Sequence, residues 1–276
     1  MLLPTPPRTD HKHVGCYLGE TADCSFDLSA EHYMSRSVLE AIGPRVAING
    51  APWLSAGETR EVGISSLTAK ILCRRHNSAL SPLDAMAGEF CRQLRAIYAD
   101  CERKSISRKR EVTLISGEAL ELWMLKAACG FFFSKNAAKD GARLIDDHLL
   151  NQEVVIDCFF RNHWAPGGGL YIRASQGHAF DVNRSVAFAP LTASGDKQVV
   201  GAGLFLLGLE FMILFDPIAA DSGRLTREGW FHRPSELLFE AGRRSYAILL
   251  TWEPGTPPRS IRMTAKFGPR TERRNV

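Results

Sequence analysis

The chain has 276 residues, of which 45% are hydrophobic and 23% charged, and its formal net charge is +4. This composition is ordinary for a folded protein and excludes the disordered and fibrous classes. The length allows one large domain or two smaller ones. The first residues lack the apolar run of a secretory signal, so we expect an intracellular, cytoplasmic protein. The mild positive charge permits an anionic partner without requiring one.

Seven cysteines are present, an odd number that is better explained in a reducing compartment by metal ligands and buried thiols than by disulfides. Four of them fall within apolar patterns and are expected in the core: Cys91, Cys101, Cys129 and Cys158. The other three are Cys16, Cys24 and Cys73, and His76 follows Cys73 in a Cys-x-x-His arrangement. Such a set is typical of a tetrahedral structural zinc. A His13/Cys16 pair, which also has zinc-knuckle spacing, is the alternative to Cys16/Cys24.

The first elements are a short helix and a hairpin. Apolar residues Val38, Leu39 and Ile42 predict a helix that ends at the Gly-Pro pair immediately after it. Residues 45–48 predict a strand, the Asn-Gly pair after it a turn, and residues 51–53 the partner strand.

A longer helix is predicted from Ser81, which has the residue type of an N-cap, with Pro82 at the first helical position. Apolar residues then recur at steps of three and four, which predicts a helix of about twenty residues with one buried face. That face consists of Leu83, Met86, Phe90, Leu94, Ile97 and Cys101. The opposite face carries arginines that either face solvent or contact phosphate.

The polar, basic run of residues 103–110 predicts a boundary between domains of residues 1–110 and 111–276. Residues 118–133 predict a buried apolar helix, and residues 141–149 a shorter one. Short β-rich runs follow, and they predict an antiparallel sheet packed against helices. These runs are residues 170–174, 185–189, 198–207, 209–215, 244–251 and 261–267. The expected fold class is therefore α+β.

The segment of residues 199–215 is nearly all apolar and has almost the length of a membrane span. Its three glycines and Glu210 favour two strands, turned at Gly208, over a membrane helix. We therefore expect no membrane partner.

A family resemblance rests on several strings taken together. They are the Cys16/Cys24 pair, the Glu31-His32 dipeptide and the string Leu-Cys-Arg-Arg-His-Asn at residues 72–77. Together they resemble the zinc-stapled HNH endonucleases, also called His-Me finger or ββα-metal nucleases. The resemblance covers about residues 14–90. It implies a ββα-metal module with a zinc staple in which Cys16 and Cys24 form the first ligand pair.

The same resemblance implies a metal-dependent endonuclease that hydrolyses DNA phosphodiesters. His32 would be the general base, since imidazole titrates near neutral pH. Glu31 and Asn77 would hold a catalytic Mg²⁺ or Mn²⁺, and the zinc would be structural. Arg74 and Arg75 would bind phosphate.

Two departures from the family pattern are compatible with a nuclease and equally with a competing hypothesis. His76 stands where many members have a second cysteine, and Tyr33 follows the histidine where proline is common. The alternative is a catalytically inactive, zinc-stabilised binding or scaffold protein in a bacterial defence or mobile-element assembly. In either case the C-terminal domain is expected to recognise a partner, to sense a signal or to form a homo-oligomer. The basic segments of residues 103–110 and 259–274 would follow a DNA backbone.

Overall fold

The computed structural model describes residues 4, 6–49, 51, 53–55, 57–103, 108–136, 138–139, 142–143, 150–173, 185–193, 198–215, 222–256 and 259–264. The helices in these residues are α1 (Arg36–Ile42), α2 (Arg74–Glu102), α3 (Gly117–Phe133), α4 (Gln152–Ile156) and α5 (Ser222–Arg227). The strands are β1 (Leu28–His32), β2 (Arg45–Asn49), β3 (Thr59–Gly63), β4 (Thr68–Cys73), β5 (Lys109–Ser116), β6 (Ala138–Lys139), β7 (Ala142–Arg143), β8 (Gly169–Arg173), β9 (Ser185–Thr192), β10 (Val199–Leu206), β11 (Leu209–Leu214), β12 (Trp230–His232), β13 (Glu236–Ala241), β14 (Arg244–Thr251) and β15 (Ser260–Thr264). The predicted α+β class is confirmed.

The strands form two large sheets and two ladders. One sheet has seven strands in the order β12-β8-β11-β10-β9-β2-β3, and the other has four in the order β15-β13-β14-β5. The ladders are β1-β4 and β6-β7. The predicted domain boundary between residues 110 and 111 falls inside β5, and β2 pairs with β9 across it. Both halves of the chain thus contribute to one sheet, and independent folding of each half stays a prediction.

Helices α2 and α3 pack between the two large sheets. Phe90 of α2 meets Phe211 of β11 edge to face, with ring centroids 6.0 Å apart. Tyr98, two turns further along α2, packs in the same manner on Phe239 of the four-stranded sheet, and its hydroxyl donates to the Leu207 carbonyl at 3.0 Å. Both side chains are buried, so α2 joins the two sheets into one hydrophobic core.

Helix α2 begins at Arg74, eight residues before Pro82, the first helical position that the sequence predicts. Pro82 therefore lies inside the helix, where it cannot donate to the carbonyl of Ser78. The Ser81 hydroxyl donates to that carbonyl at 2.9 Å and replaces the missing bond. The buried face of the helix is as predicted, apart from Met86, which is partly exposed.

The predicted hairpin of β2 with residues 51–53 is wrong. β2 pairs instead with β3, and Asn49 lies opposite Thr59. The amide of Leu54 donates instead to the carbonyl of Ala51. The Trp53 indole donates to the side chain of Asn136, three residues beyond the end of α3.

The apolar segment of residues 199–215 forms the hairpin β10-β11, as predicted. Its turn is made by Leu207 and Gly208, both at positive φ. Helix α3 and the other predicted C-terminal strands are also confirmed within the described residues. The helix predicted for residues 141–149 falls mostly outside them, and residues 142–143 form the short strand β7. Among the described helices, none has the length and apolarity needed to cross a membrane.

Candidate metal centre

Four buried side chains converge where the β1-β4 ladder meets the start of α2. The ligand atoms of Cys16, Cys24, Cys73 and His76 all lie within 4.8 Å of one another. The Nδ1 atom of His76 is 3.2 Å from the Cys73 sulfur and 3.6 Å from each of the other two. Tetrahedral zinc, with ordinary Zn–S and Zn–N bonds, separates a sulfur from a nitrogen by about 3.5 Å. The cluster could therefore hold a metal ion of this size.

Short-range structure places the second pair of ligands. Cys73 is the last residue of β4 and the N-cap of α2, and its sulfur accepts the amide hydrogen of His76 at 3.4 Å. A residue at the N-cap and one three positions later are brought together by the first helical turn. Cys-x-x-His at a strand-to-helix junction therefore presents both ligands on one side without loop strain.

The first pair comes from a compact loop before β1. The amide of Cys16 donates to the carbonyl of His13, and the amide of Cys24 donates to the carbonyl of His11. These bonds fold both sulfurs inward. The alternative ligand His13 lies outside the cluster, where its Nδ1 accepts the amide hydrogen of Gly15.

A neighbouring hydroxyl orients the histidine. The Nε2 atom of His76 lies 3.1 Å from the Oγ1 of Thr21, and that hydroxyl donates to the carbonyl of Leu18. Since the hydroxyl hydrogen is used on Leu18, Thr21 accepts a hydrogen from Nε2 and leaves Nδ1 as the free lone pair. Outer hydrogen bonds of this kind set the tautomer of metal-binding histidines.

The thiols influence one another strongly. A hydrogen bond from Cys16, helped by His76, lowers the pKa of the Cys73 thiol to about 2. The same hydrogen bond, followed by burial, raises the pKa of Cys16, and burial raises that of Cys24. Deprotonation of all three thiols this close together would need a positive charge between them. A bound cation would supply it, so the donor chemistry also fits a thiolate-preferring metal such as zinc.

The predicted phosphate ligands differ from each other. The guanidinium of Arg75 forms two hydrogen bonds to the carboxylate of Asp23, at 2.9 and 3.1 Å, and a third to the carbonyl of Pro7. Through these contacts Arg75 holds the loop before β1 in place over the metal cluster. Arg74 is exposed at the start of α2.

Glu31, a predicted catalytic metal ligand, lies in a buried ion pair instead of an open cleft. Its Oε1 atom is 2.8 Å from the ammonium of Lys126 on α3, whose side chain is only 5% exposed. The same ammonium lies 2.5 Å from Asp84 on α2. Burial raises the pKa of the Glu31 carboxyl, whereas Lys126 opposes that shift.

Further hydrogen bonds extend this ion pair. The hydroxyl of Ser35, at the start of α1, donates to the other carboxylate oxygen of Asp84 and accepts from the Trp123 indole at 2.7 Å. Asn77 is close enough to Glu31 to oppose slightly the raised pKa of its carboxyl. Together these residues tie β1, α1, α2 and α3 to one another.

His32, the predicted base, lies on the other side of β1. Successive residues of a strand point to opposite faces. Accordingly Arg36, the backbone of Ile64 and Glu40 act on the pKa of His32, whereas Lys126 and Asn77 act on that of Glu31. Asp84 raises the pKa of both groups. Burial lowers the pKa of the half-buried imidazole. Glu31 and Asn77 thus lie near each other, and Asp84 is close enough to both Glu31 and His32 to shift the pKa of each.

Two charged residues of α3 are part of the core architecture, and sequence reasoning missed their roles. Lys126 neutralises Glu31, as described above. Glu121 is 2% exposed, accepts two hydrogen bonds from Arg233 at 2.8 and 2.9 Å, and accepts the amide hydrogen of Leu170. The sequence does contain a signal for both residues, because each is an isolated charge within a strongly apolar segment. A charged side chain in a buried helix requires a partner of opposite charge.

Comparisons with known proteins add no assignment. No family model matches this chain. Searches of the curated proteins and of the solved structures also find no match.

Proposed function

We propose that this protein is a non-catalytic, metal-stapled binding or scaffold protein. The metal cluster fixes the loop before β1 and the start of α2, and the α+β body presents surfaces for a partner. The observation that supports this proposal most directly is the buried contact between Glu31 and Lys126.

The contact matters because a catalytic divalent cation needs a carboxylate that is free to bind it. A cation bound to Glu31 at a usual oxygen–metal distance would lie within about 5 Å of the Lys126 ammonium. Repulsion between a double and a single positive charge at that distance is about 7 kcal/mol at an effective dielectric constant of 20. The residues around Glu31 therefore do not fit a hydrolytic Mg²⁺ or Mn²⁺ in this arrangement.

The second candidate is an HNH-type DNA endonuclease. It is favoured by the order of β1, β4 and α2, which is a ββα unit beside the metal cluster, and by the contact of Glu31 with Asn77 in the first turns of α2. The lowered pKa of His32 would also suit a base at neutral pH. Activity would require Lys126 to leave Glu31 and His32 to reach the same cleft.

A nuclease assay separates the two candidates. Purified full-length protein would be incubated with supercoiled plasmid and with single-stranded DNA, in Mg²⁺, in Mn²⁺ and in chelator. His32→Ala and Glu31→Gln would run beside it, and metal analysis would count the zinc in each sample.

The scaffold proposal expects about one zinc per chain and no cleavage in any sample. Metal-dependent cutting that disappears in both variants would establish the nuclease candidate and refute ours. Cutting that persists equally in both variants would come from a contaminating nuclease, and the preparation would then be purified until cutting either stops or becomes sensitive to the variants.

A further inference from the structure

A cavity lies between the seven-stranded sheet and the helices α1 and α3. Its sheet wall is formed by the paired strands β2 and β9, in which Ile48 and Val186 lie directly opposite each other. Leu39 of α1 and Phe131 of α3 belong to the wall on the helix side. Trp53 is 38% exposed, more than any other lining residue, and therefore lies at the mouth. None of the described residues that line the cavity is charged.

Aromatic side chains form much of the inner surface. The rings of Phe131 and Phe188 stack with their centroids 4.1 Å apart, and Tyr33 meets Phe131 edge to face at 5.3 Å. Walls of this kind favour an apolar, flat ligand. An ion would lose its hydration here without gaining an opposite charge. The lining therefore selects an uncharged molecule.

The hydroxyl of Tyr33 is a donor without an acceptor. The residue is 6% exposed, and within the part of the chain that the structure describes its hydroxyl has no hydrogen-bond partner. Burial raises the pKa of this hydroxyl to about 12, so it stays protonated at neutral pH. A buried hydroxyl without a partner is unfavourable. Because Tyr33 lines the cavity, an acceptor inside the cavity can supply the missing hydrogen bond.

The other hydrogen-bonding side chains of the lining already have partners. The Trp53 indole donates to the Asn136 side chain at 3.2 Å. The amide nitrogen of Asn136 donates to the carbonyl and the hydroxyl of Ser134. Among the described lining residues, Tyr33 is thus the one whose hydrogen-bonding capacity is unused. The ligand needs a single acceptor to match it.

The free space is small while Trp53 is in place. The walls and the open mouth bound about 480 Å³, but the volume open to a water molecule is about 20 Å³, which holds about one water. A ring can therefore enter only when a wall moves. Trp53 lies outside the helices and strands, and the contacts at its indole are the bond to Asn136 and the Arg60 guanidinium, 5.9 Å from the ring centre. It is the wall that moves most easily.

We propose that this cavity binds a small, uncharged, flat molecule with one hydrogen-bond acceptor, which takes the hydroxyl hydrogen of Tyr33 while the Trp53 indole turns outward. A simple aryl ketone has this chemistry. Because the ligand is small and must displace Trp53, we expect a dissociation constant in the sub-millimolar range. The proposal does not rest on the scaffold role, and the nuclease assay contains no such molecule, so each can fail without the other.

The first test compares three probes of nearly equal shape in NMR titrations of the full-length protein. Acetophenone is a neutral ring with a carbonyl acceptor. In α-methylstyrene a methylene group replaces the carbonyl oxygen, and benzoate carries a charge. Acetophenone should bind about tenfold more tightly than α-methylstyrene, since only its oxygen can pair with the buried hydroxyl. Benzoate should not bind, because the lining offers no cation.

The second test places the hydrogen bond on Tyr33. Tyr33→Phe keeps the ring and should reduce the affinity for acetophenone to that for α-methylstyrene, whose own affinity stays unchanged. Its melting temperature should equal that of the parent, because the hydroxyl has no protein partner to lose. Tyr171→Phe is the matched control: its hydroxyl donates to the Gly167 carbonyl outside the cavity, so the tenfold preference should remain.

Three results would overturn the proposal. Binding of neither neutral probe up to its solubility limit would show that the cavity holds a water molecule only, which then satisfies Tyr33. Equal affinity for acetophenone and α-methylstyrene would show that the hydroxyl does not select the ligand. A preference that survives in Tyr33→Phe would place the acceptor elsewhere.

Discussion

Lys126→Met removes the only positive charge that we find in contact with Glu31 within the described residues, and methionine keeps most of the side-chain volume. The two carboxylates of Glu31 and Asp84 then lose their counter-ion in a site where the Glu31 side chain is 11% and the Asp84 side chain 20% exposed. Breaking a buried ion pair by removing one partner costs about 3–5 kcal/mol. We expect the lower end of that range, because Asp84 retains some contact with solvent and its hydrogen bond from Ser35.

The loss should depend on pH, and its sign follows from Glu31. Burial holds the pKa of this carboxyl above its ordinary value even with Lys126 beside it, and removing the ammonium raises that pKa further. A carboxyl whose pKa is raised in the folded state stabilises the fold below its unfolded pKa, and that contribution is lost as pH rises through the folded pKa. The Lys126→Met deficit should therefore be largest at pH 8 and smaller near pH 5.

Urea unfolding followed by tryptophan fluorescence at both pH values would measure this deficit against the parent protein. The double variant Glu31→Gln, Lys126→Met removes one of the stranded charges and should recover at least about 1 kcal/mol. If the free energy of unfolding of Lys126→Met lies within about 0.5 kcal/mol of the parent value, or if the deficit does not change with pH, the ion pair does not stabilise the fold as argued.

Three further predictions concern the metal cluster and the packing of α3. Cys73→Ser, or removal of metal by a strong chelator, should unfold the loop before β1 and lower the melting temperature. The reason is that a structural metal contributes its binding free energy to folding. Unchanged zinc content and melting temperature in the variant would refute this prediction. Thr21→Val should weaken metal binding about 10- to 100-fold in competition with a chelating dye, because the Nε2 atom of His76 loses its hydrogen-bond partner. Unchanged affinity would show that Thr21 does not orient His76. Gly130→Ala should destabilise the fold by about 1–3 kcal/mol in thermal or urea unfolding, because the alanine Cβ would lie 2.4 Å from the carbonyl oxygen of Tyr33. This loss should exceed the gain from the higher helix propensity of alanine. A stabilised variant would contradict the close approach of Gly130 to Tyr33.

Features that depend on neighbours along the chain were predictable from the sequence. The apolar run of α3, the buried face of α2 and the hairpin β10-β11 follow from periodicity and from glycine placement, which act over a few residues. The candidate ligands Cys73 and His76 were also recognisable, since Cys-x-x-His forms its geometry within one helical turn, whereas Cys24 was preferred to His13 only through the family resemblance.

Features that depend on distant contacts were decided by the tertiary structure. The start of α2 lies at Arg74 and not near Ser81, because Cys73 caps the helix at the end of β4, a strand that is fixed by its pairing with β1. No local pattern specifies that β3 and not residues 51–53 pairs with β2.

The candidate catalytic residues show the same limit most clearly. Glu31 and His32 are adjacent in sequence, yet strand geometry sends their side chains to opposite faces of β1. Lys126 lies almost a hundred residues from Glu31 along the chain, and only the packing of α3 against β1 makes it the counter-ion. Sequence spacing identifies which residues have suitable chemistry, whereas the charge that each one meets is determined by non-local packing.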